Sequence, residues 1–229
     1  MSHKAENPVQ STVNTFTIVE AIRELDGAGV SEIAAHLDIP KSTAHNYLST
    51  LEQEEYVVKT DGVYQVGIRF LELGAYARNR RQIYEIAKPE IQRLAEETGE
   101  LANLLIEEHG RGVYLQRVRG ADAVRVEAHV GTRVSLHSTA LGKAILAFMP
   151  RERVDEIVDR HGLEQPTERT VGSREELHEA LDEVRENRYA LDDEERLKGL
   201  RCVAAPILSN DDRVLGAVSV SGPSNRIRG

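Results

Sequence analysis

The sequence predicts an α+β chain of two units: a small helical unit closed by a hairpin, then a larger antiparallel sheet flanked by helices. Three observations carry this. Apolar residues recur at helical spacing three times up to Glu54, the first two runs ended by turn signals. Two short β-rich runs then flank Asp61-Gly62. From Leu101 onward the order becomes strands, helices, strands. The boundaries are 10–66 for the first unit, 67–81 for a connecting helix and 82–229 for the second unit.

In the run 12–25, Val13, Phe16, Ile18, Val19, Ile22 and Leu25 form one broad helical stripe, and "DGAG" stops it. Ser31 is placed to cap a short second helix with Ile33, Ala34 and Leu37 inward. "DIPK" is a tight turn, and Pro40 suits the start of a third helix, about 41–54. Ala44, Tyr47, Leu48 and Leu51 face inward there. "YVVKTDGVYQVG" then reads as a hairpin. Three short helices and a hairpin make a winged helix-turn-helix, which enters the DNA major groove by the N-terminal half of its third helix.

That half is "KSTAHN". Lys41, Ser42 and Thr43 are placed for phosphates, helped by the unpaired amides of a helix start. His45 and Asn46 lie on the outer face for base edges, and asparagine suits adenine. Lys59 on the hairpin is placed for a flanking phosphate. From Ile39 to Leu51 the chain has one lysine and no acid, although it carries 29 Lys/Arg against 38 Asp/Glu overall, net −9. A carboxylate on this stretch would meet phosphate. A capped, solvated helix or a winged helix that binds protein would show some of the same features. Residues 1–80 hold seven Lys/Arg against eleven Asp/Glu. One copy therefore binds phosphate weakly, and two copies on a two-fold site are expected.

Residues 66–81, "VGIRFLELGAYARNRR", place Ile68, Leu71, Leu73, Ala75 and Tyr76 in a helical pattern. This face suits pairing with a second chain, the alternative being packing on its own unit. Ile83, Ile86, Ala87, Ile91 and Leu94 share the next helical face, and Pro89 is expected to open a new helix. In the second unit, "LANLLIEEHGRGVYLQRVRG" is a hairpin about "HGRG", and "AVRVEAHVG" alternates as a third strand. "STALGKAILAFM" and "RERVDEIVDRHG" are helices, Ser173 caps another, and "RCVAAPIL" pairs with "RVLGAVSVSGP" around "SNDD".

Composition sets bounds. One cysteine, Cys202, excludes an internal disulfide and a cysteine-rich zinc site. The eight histidines show no HxH or HxxxH spacing, so no metal site is expected, and nothing implies a cofactor. No apolar run approaches the length of a membrane span, and "MSHKAENPVQST" lacks the apolar stretch of a signal peptide, so a cytoplasmic protein is expected. Lys143 follows Gly142 but lacks the earlier glycine of a phosphate-binding loop. An enzyme reading would group Cys202 with His137 and Asp192, but no local nucleophile motif supports it, and no catalytic residue is expected.

Two stretches, "GTRVSLHSTALGKAILA" (131–147) and "LDDEERLKGLRCVAAPILSNDDRVLGAVSVSGP" (191–223), resemble the hallmarks of the IclR family of transcriptional regulators. The likeness runs over about residues 10 to 225, with "KSTAHNYLSTLEQEEYV" where that family has its recognition helix. It implies a GAF-like effector domain, a small-molecule effector (an organic acid, sugar acid or aromatic metabolite) and a homodimer or dimer of dimers on double-stranded operator DNA. By position in the motifs it implies effector contacts from Ala140 and Leu141 amides, Asp192, Cys202, Ser219 and Ser221. Ser219 and Ser221 share one strand face, with Val218 and Val220 as the alternative inward pair. Val124, Val126, Val134 and Leu146 are further candidates for apolar walls. Many relatives carry arginine where Asn46 stands, and relatives continue with a further helix after "SGPSNRI". A sensor that signals through protein contacts without DNA is the rival reading.

Overall fold

In a computed structural model, residues 5–227 are described, and they divide into two compact units at Ala77/Arg78. The first contains α1 (Gln10–Glu24), α2 (Val30–His36), α3 (Lys41–Gln53), and a hairpin of β1 (Val57–Thr60) and β2 (Val63–Val66). Its core is Ile18, Ile22, Ala28, Ile33, Leu48, Leu51, Val57 and Tyr64. Each large apolar side chain so buried contributes about 1.5–3 kcal/mol. The hairpin turn needs two left-handed residues, and Asp61 (φ 51°) and Gly62 (φ 86°) supply them. The ladder pairs Val57 with Val66 and Thr60 with Val63.

Two details differ from expectation. Ser31 does not cap α2: Gly29 precedes the helix, and Glu32 Oε2 accepts the Gly29 N–H at 2.9 Å. A glutamate one turn in can reach back where the cap residue has no side chain. Val13 and Phe16 are exposed, because α1 turns only the narrower Ile18–Ala21–Ile22 stripe inward.

α4 (Arg69–Asn79) follows, with no buried residue. Its start is held to the winged unit: Arg69 donates to the Glu54 carbonyl at 2.7 Å and lies over the Tyr56 ring, and Tyr56 packs on Phe70 with centroids 5.0 Å apart. The turn into α4 passes so close to the Tyr56 carbonyl that a side chain at Gly67 would lie 2.9 Å from it.

The second unit opens with α5 (Gln82–Thr98), and Pro89 sits inside this helix rather than opening a new one. The missing N–H would have bonded the Glu85 carbonyl. Glu85 and Pro89 are both exposed, so water can take that acceptor. Tyr84, Ala87, Ile91 and Ala95 face inward, while Ile86 is exposed. Six antiparallel strands form the sheet in the order β5-β4-β3-β8-β7-β6. They are β3 (Leu101–Glu108), β4 (Arg111–Arg119), β5 (Arg133–Val134), β6 (Ala190–Asp193), β7 (Leu200–Leu208) and β8 (Val214–Pro223). α5 covers one face through Ala102, Leu104, Ile106 and Leu115. α6 (Ala140–Leu146), α7 (Arg151–His161) and α8 (Arg174–Asn187) cover the other over Leu105, Tyr114, Ala204 and Ala217. Ser173 caps α8, its Oγ accepting the Glu176 N–H at 3.2 Å.

"AVRVEAHVG" is not a strand. The Ala128 carbonyl accepts from the Arg117 guanidinium, and the Ala128 N–H turns back to the Val126 carbonyl. With these groups used locally the segment cannot ladder, and only Arg133–Val134 pairs with β4.

Candidate functional site

The outer surface of α3 comes first. Pro40, with extended ψ of 140°, sets the start, so Lys41 is the first helical residue. The stripe Ala44–Leu48–Leu51 is buried, which turns Lys41, Ser42, His45 and Asn46 outward. Thr43 is half-buried. His45 Nδ1 lies 3.5 Å from Ser49 Oγ, and the Asn46 carbonyl accepts from Thr50 Oγ1 at 2.8 Å. The Asn46 amide itself makes no hydrogen bond within the described residues. Lys59 is exposed on the hairpin, its ammonium 4.9 Å from the centroid of the Tyr64 ring. Glu52, Glu54 and Glu55 lie at the other end of α3, where Glu55 pairs with Arg69 at 3.3 Å.

The second region is a narrow cavity on the α6 side of the sheet. Strand register builds its floor. Asp192 pairs with Cys202, Cys202 with Ser221 and Ser221 with Leu101. One step along, Ala204 pairs with Ser219, Ser219 with Asn103 and Asn103 with Arg117. Ser219 and Ser221 are 2% and 5% exposed, which puts the serines inward and leaves Val218 and Val220 on the opposite face. Asn103 Nδ2 donates to both serine hydroxyls, at 3.1 and 3.3 Å, and Asn103 Oδ1 accepts from Arg117 Nε at 3.0 Å. The wall is the start of α6, where Thr139 Oγ1 accepts the Gly142 N–H at 3.0 Å. Ala140 and Leu141 occupy the first helical positions, whose N–H groups have no intrahelical acceptor. Gly142 is required by proximity: a side chain there would lie 2.0 Å from the Leu136 carbonyl oxygen.

The rim is the loop after β6. Asp192 Oδ1 accepts the N–H groups of Glu195 (2.8 Å) and Arg196 (3.4 Å). Lys143 Nζ reaches Glu195 Oε1 at 2.5 Å, joining α6 to this loop. Thr167 and Thr170 hydroxyls donate to the Glu195 carbonyl at 3.0 and 2.5 Å. Burial raises the Asp192 carboxyl to about 6 and pushes the Cys202 thiol up to about 12. Such a thiol is a poor nucleophile at neutral pH. His137, the imagined base, has its Nε2 on the Glu164 carbonyl at 2.8 Å and does not line the cavity.

All six residues expected by position (Ala140, Leu141, Asp192, Cys202, Ser219 and Ser221) line this one cavity. Val126 also lines it, while Val124 lies in the adjoining groove and Val134 and Leu146 belong to the apolar core. Sequence reasoning missed Asn103, Tyr114, Arg117, Thr139 and Arg196. Asn103 had a signal, as a lone amide in the apolar run "LANLLI". Tyr114 and Arg117 had none, because a bulge decides their facing.

Comparison with known proteins covers both units. Residues 11–61 match the IclR helix-turn-helix domain, and residues 75–229 match the bacterial transcriptional regulator IclR C-terminal domain. The probable HTH-type transcriptional regulator ArcR of Halobacterium salinarum is 36% identical over 96% of this chain and 85% of that protein. The crystal structure of the Thermotoga maritima IclR superposes with a TM-score of 0.77 at 30% identity, covering 96% of this chain and 90% of that one. An IclR homologue from Microbacterium hydrocarbonoxydans, complexed with 4-hydroxybenzoate, shares the fold at 23% identity and TM-score 0.79 over 93% of this chain and 91% of that one.

Proposed function

Since this chain belongs to the IclR family and is a DNA-binding transcriptional regulator, we propose that it acts in the cytoplasm as a homodimer, or a dimer of dimers, whose grip on operator DNA is set by an organic acid, sugar acid or aromatic metabolite in the cavity of Ser219 and Ser221. Lys41, Ser42, Thr43 and Lys59 hold phosphates, and His45 and Asn46 reach base edges. Ala140, Leu141, Asp192, Cys202, Ser219 and Ser221 contact the effector. The observation that carries this reading is the buried polar cavity, with both serines inward and Asn103 bridging them. The 4-hydroxybenzoate in the Microbacterium homologue supports an acid as effector.

Two copies are needed on electrostatic grounds. The winged unit and connecting helix are net acidic, so the phosphate contacts of one copy are too few for firm binding. Pairing through α4 would double them and impose a half-site spacing. Effector then acts by its difference in affinity for two arrangements of the pair. No catalytic role for Cys202 is part of this reading, since a thiol pushed up to about 12 is a poor nucleophile at neutral pH.

The test is fluorescence anisotropy on the DNA upstream of its own gene. Binding that falls steeply with added salt is expected. Absence of binding at low salt to every upstream fragment would favour the sensor that works through protein contacts.

A further inference from the structure

Two guanidiniums in the cavity have no negative partner. Arg117 and Arg196 both lie against Tyr114, their guanidinium carbons 5.0 and 5.8 Å from its ring centroid. Arg196 donates to the Tyr114 hydroxyl at 2.6 Å. Arg117 donates to Asn103 Oδ1 at 3.0 Å and to the Ala128 carbonyl. All of these acceptors are neutral. Among the described residues neither arginine forms an ion pair, whereas half of the described arginines do.

The bulge creates this arrangement. Leu104 pairs with Gln116 but Leu105 pairs with Tyr114, so Leu115 is an extra residue in β4. Residues three apart on a regular strand point to opposite faces. The extra residue brings Tyr114 and Arg117 to the same face, the one that carries Asn103 and Ser219. Burial lowers the pKa of Arg117, and the nearby charge of Arg196 lowers it further. Two half-buried like charges therefore repel across a buried ring. The approach is basic too: a groove sharing Leu101, Arg117 and Val126 with the cavity is also lined by Arg119 and Arg125, with Glu127 its only acid.

We propose that Arg117 and Arg196 are specificity-determining residues that take an acidic group of the effector in addition to the one held elsewhere in the cavity, so that the effector is a small diacid. This rests on the cavity being the effector site. The single acid that lines the cavity, Asp192, titrates near pH 6. Its Oδ1 is turned to the Glu195 and Arg196 backbone N–H groups and pairs with neither guanidinium. An acidic group of the effector set between Arg117 and Arg196 therefore relieves their repulsion, whereas a monoamide that spends its one carboxylate elsewhere in the cavity leaves both unpaired. A hydrogen bond between two charged groups is stronger than one to a neutral amide, so a diacid gains about tenfold or more in affinity over its own monoamide.

The experiment is calorimetric titration of the full chain with malonate, succinate, glutarate, adipate and terephthalate, each beside its monoamide. At least one diacid is expected to bind about tenfold or more tightly than its monoamide. Arg117→Gln and Arg196→Gln should each bring the pair near parity, and Arg196→Lys should keep part of the preference. Melting without ligand checks that the variants fold. Should Arg117→Gln not fold, Arg196→Gln decides, since the Arg196 guanidinium bonds only to a side chain. No diacid preferred over its monoamide, or a preference that survives the glutamine variants, overturns the proposal. Ser219→Leu separates the two layers. Ligand binding that persists in that variant means the cavity is misassigned. Binding that is lost there, but shows no diacid preference in the wild type, overturns the charge inference alone.

Discussion

Lys143 Nζ lies 2.5 Å from Glu195 Oε1, and the two side chains are 8% and 10% exposed. The other oxygen of Glu195 is buried without a hydrogen-bond partner. This pair joins the first turn of α6 to the loop after β6 that carries Arg196, beside the cavity. Removing one member leaves the other charge buried alone. Lys143→Met should cost about 3–5 kcal/mol in chemical denaturation, and the double change with Glu195→Leu should recover most of it. A single variant as stable as the wild type would show the pair to be water-screened.

Asp192 gives a pH signature. Its pKa is about 6 folded against 3.8 for the free side chain, so the folded chain binds more protons between those values. Its contribution to stability is therefore lost as pH rises from about 4 to about 6. Asp192→Asn stays neutral and keeps an acceptor for the two N–H groups. It should be more stable than the wild type by up to about 3 kcal/mol above pH 6, with the gap closing towards pH 4. A gap that is constant with pH would place the titration elsewhere.

Asn46 has a free amide on the outer face of α3. If it pairs with a base, Asn46→Ala should flatten discrimination at one position of each half-site by about 1–3 kcal/mol. Competition between operator variants reads this directly. An equal loss on every sequence would make it a phosphate contact. Lys41→Gln should give that equal loss and lower the salt slope by about 1 per copy.

On α4, Leu71 is 64% and Tyr76 70% exposed, and no residue of the helix is buried. Large apolar side chains exposed together suit the pairing of two copies proposed for this helix. The double change Leu71→Asp/Tyr76→Asp should shift the chain towards monomer in analytical ultracentrifugation and weaken DNA binding. An unchanged oligomer would move the seam off this helix.

The fold was largely legible because local signals agreed. Helical stripes, the Asp61-Gly62 turn and the Ser173 cap each specified one outcome. The misses came where tertiary context outweighed a local rule. Pro89 looked like a helix start, yet an exposed helix face tolerates the lost N–H when water can take the freed carbonyl. "AVRVEAHVG" alternates like a strand, but the Arg117 guanidinium claims the Ala128 carbonyl. Of the cavity, the motif residues were readable by position. Arg117 and Tyr114 were not, because one bulged residue reverses their facing and strand alternation carries no trace of it. Arg196 sits in a charged run whose burial depends on the loop held by Thr167 and Thr170.

The central claim is that this cavity controls the winged helix. The most direct measurement is operator anisotropy for wild type and Ser219→Leu, with and without the tightest ligand found by titration. The expected result is a DNA affinity that ligand shifts severalfold in the wild type but leaves unmoved in Ser219→Leu, with the ligand-free affinities equal. A ligand response of the same size in both proteins would contradict the account.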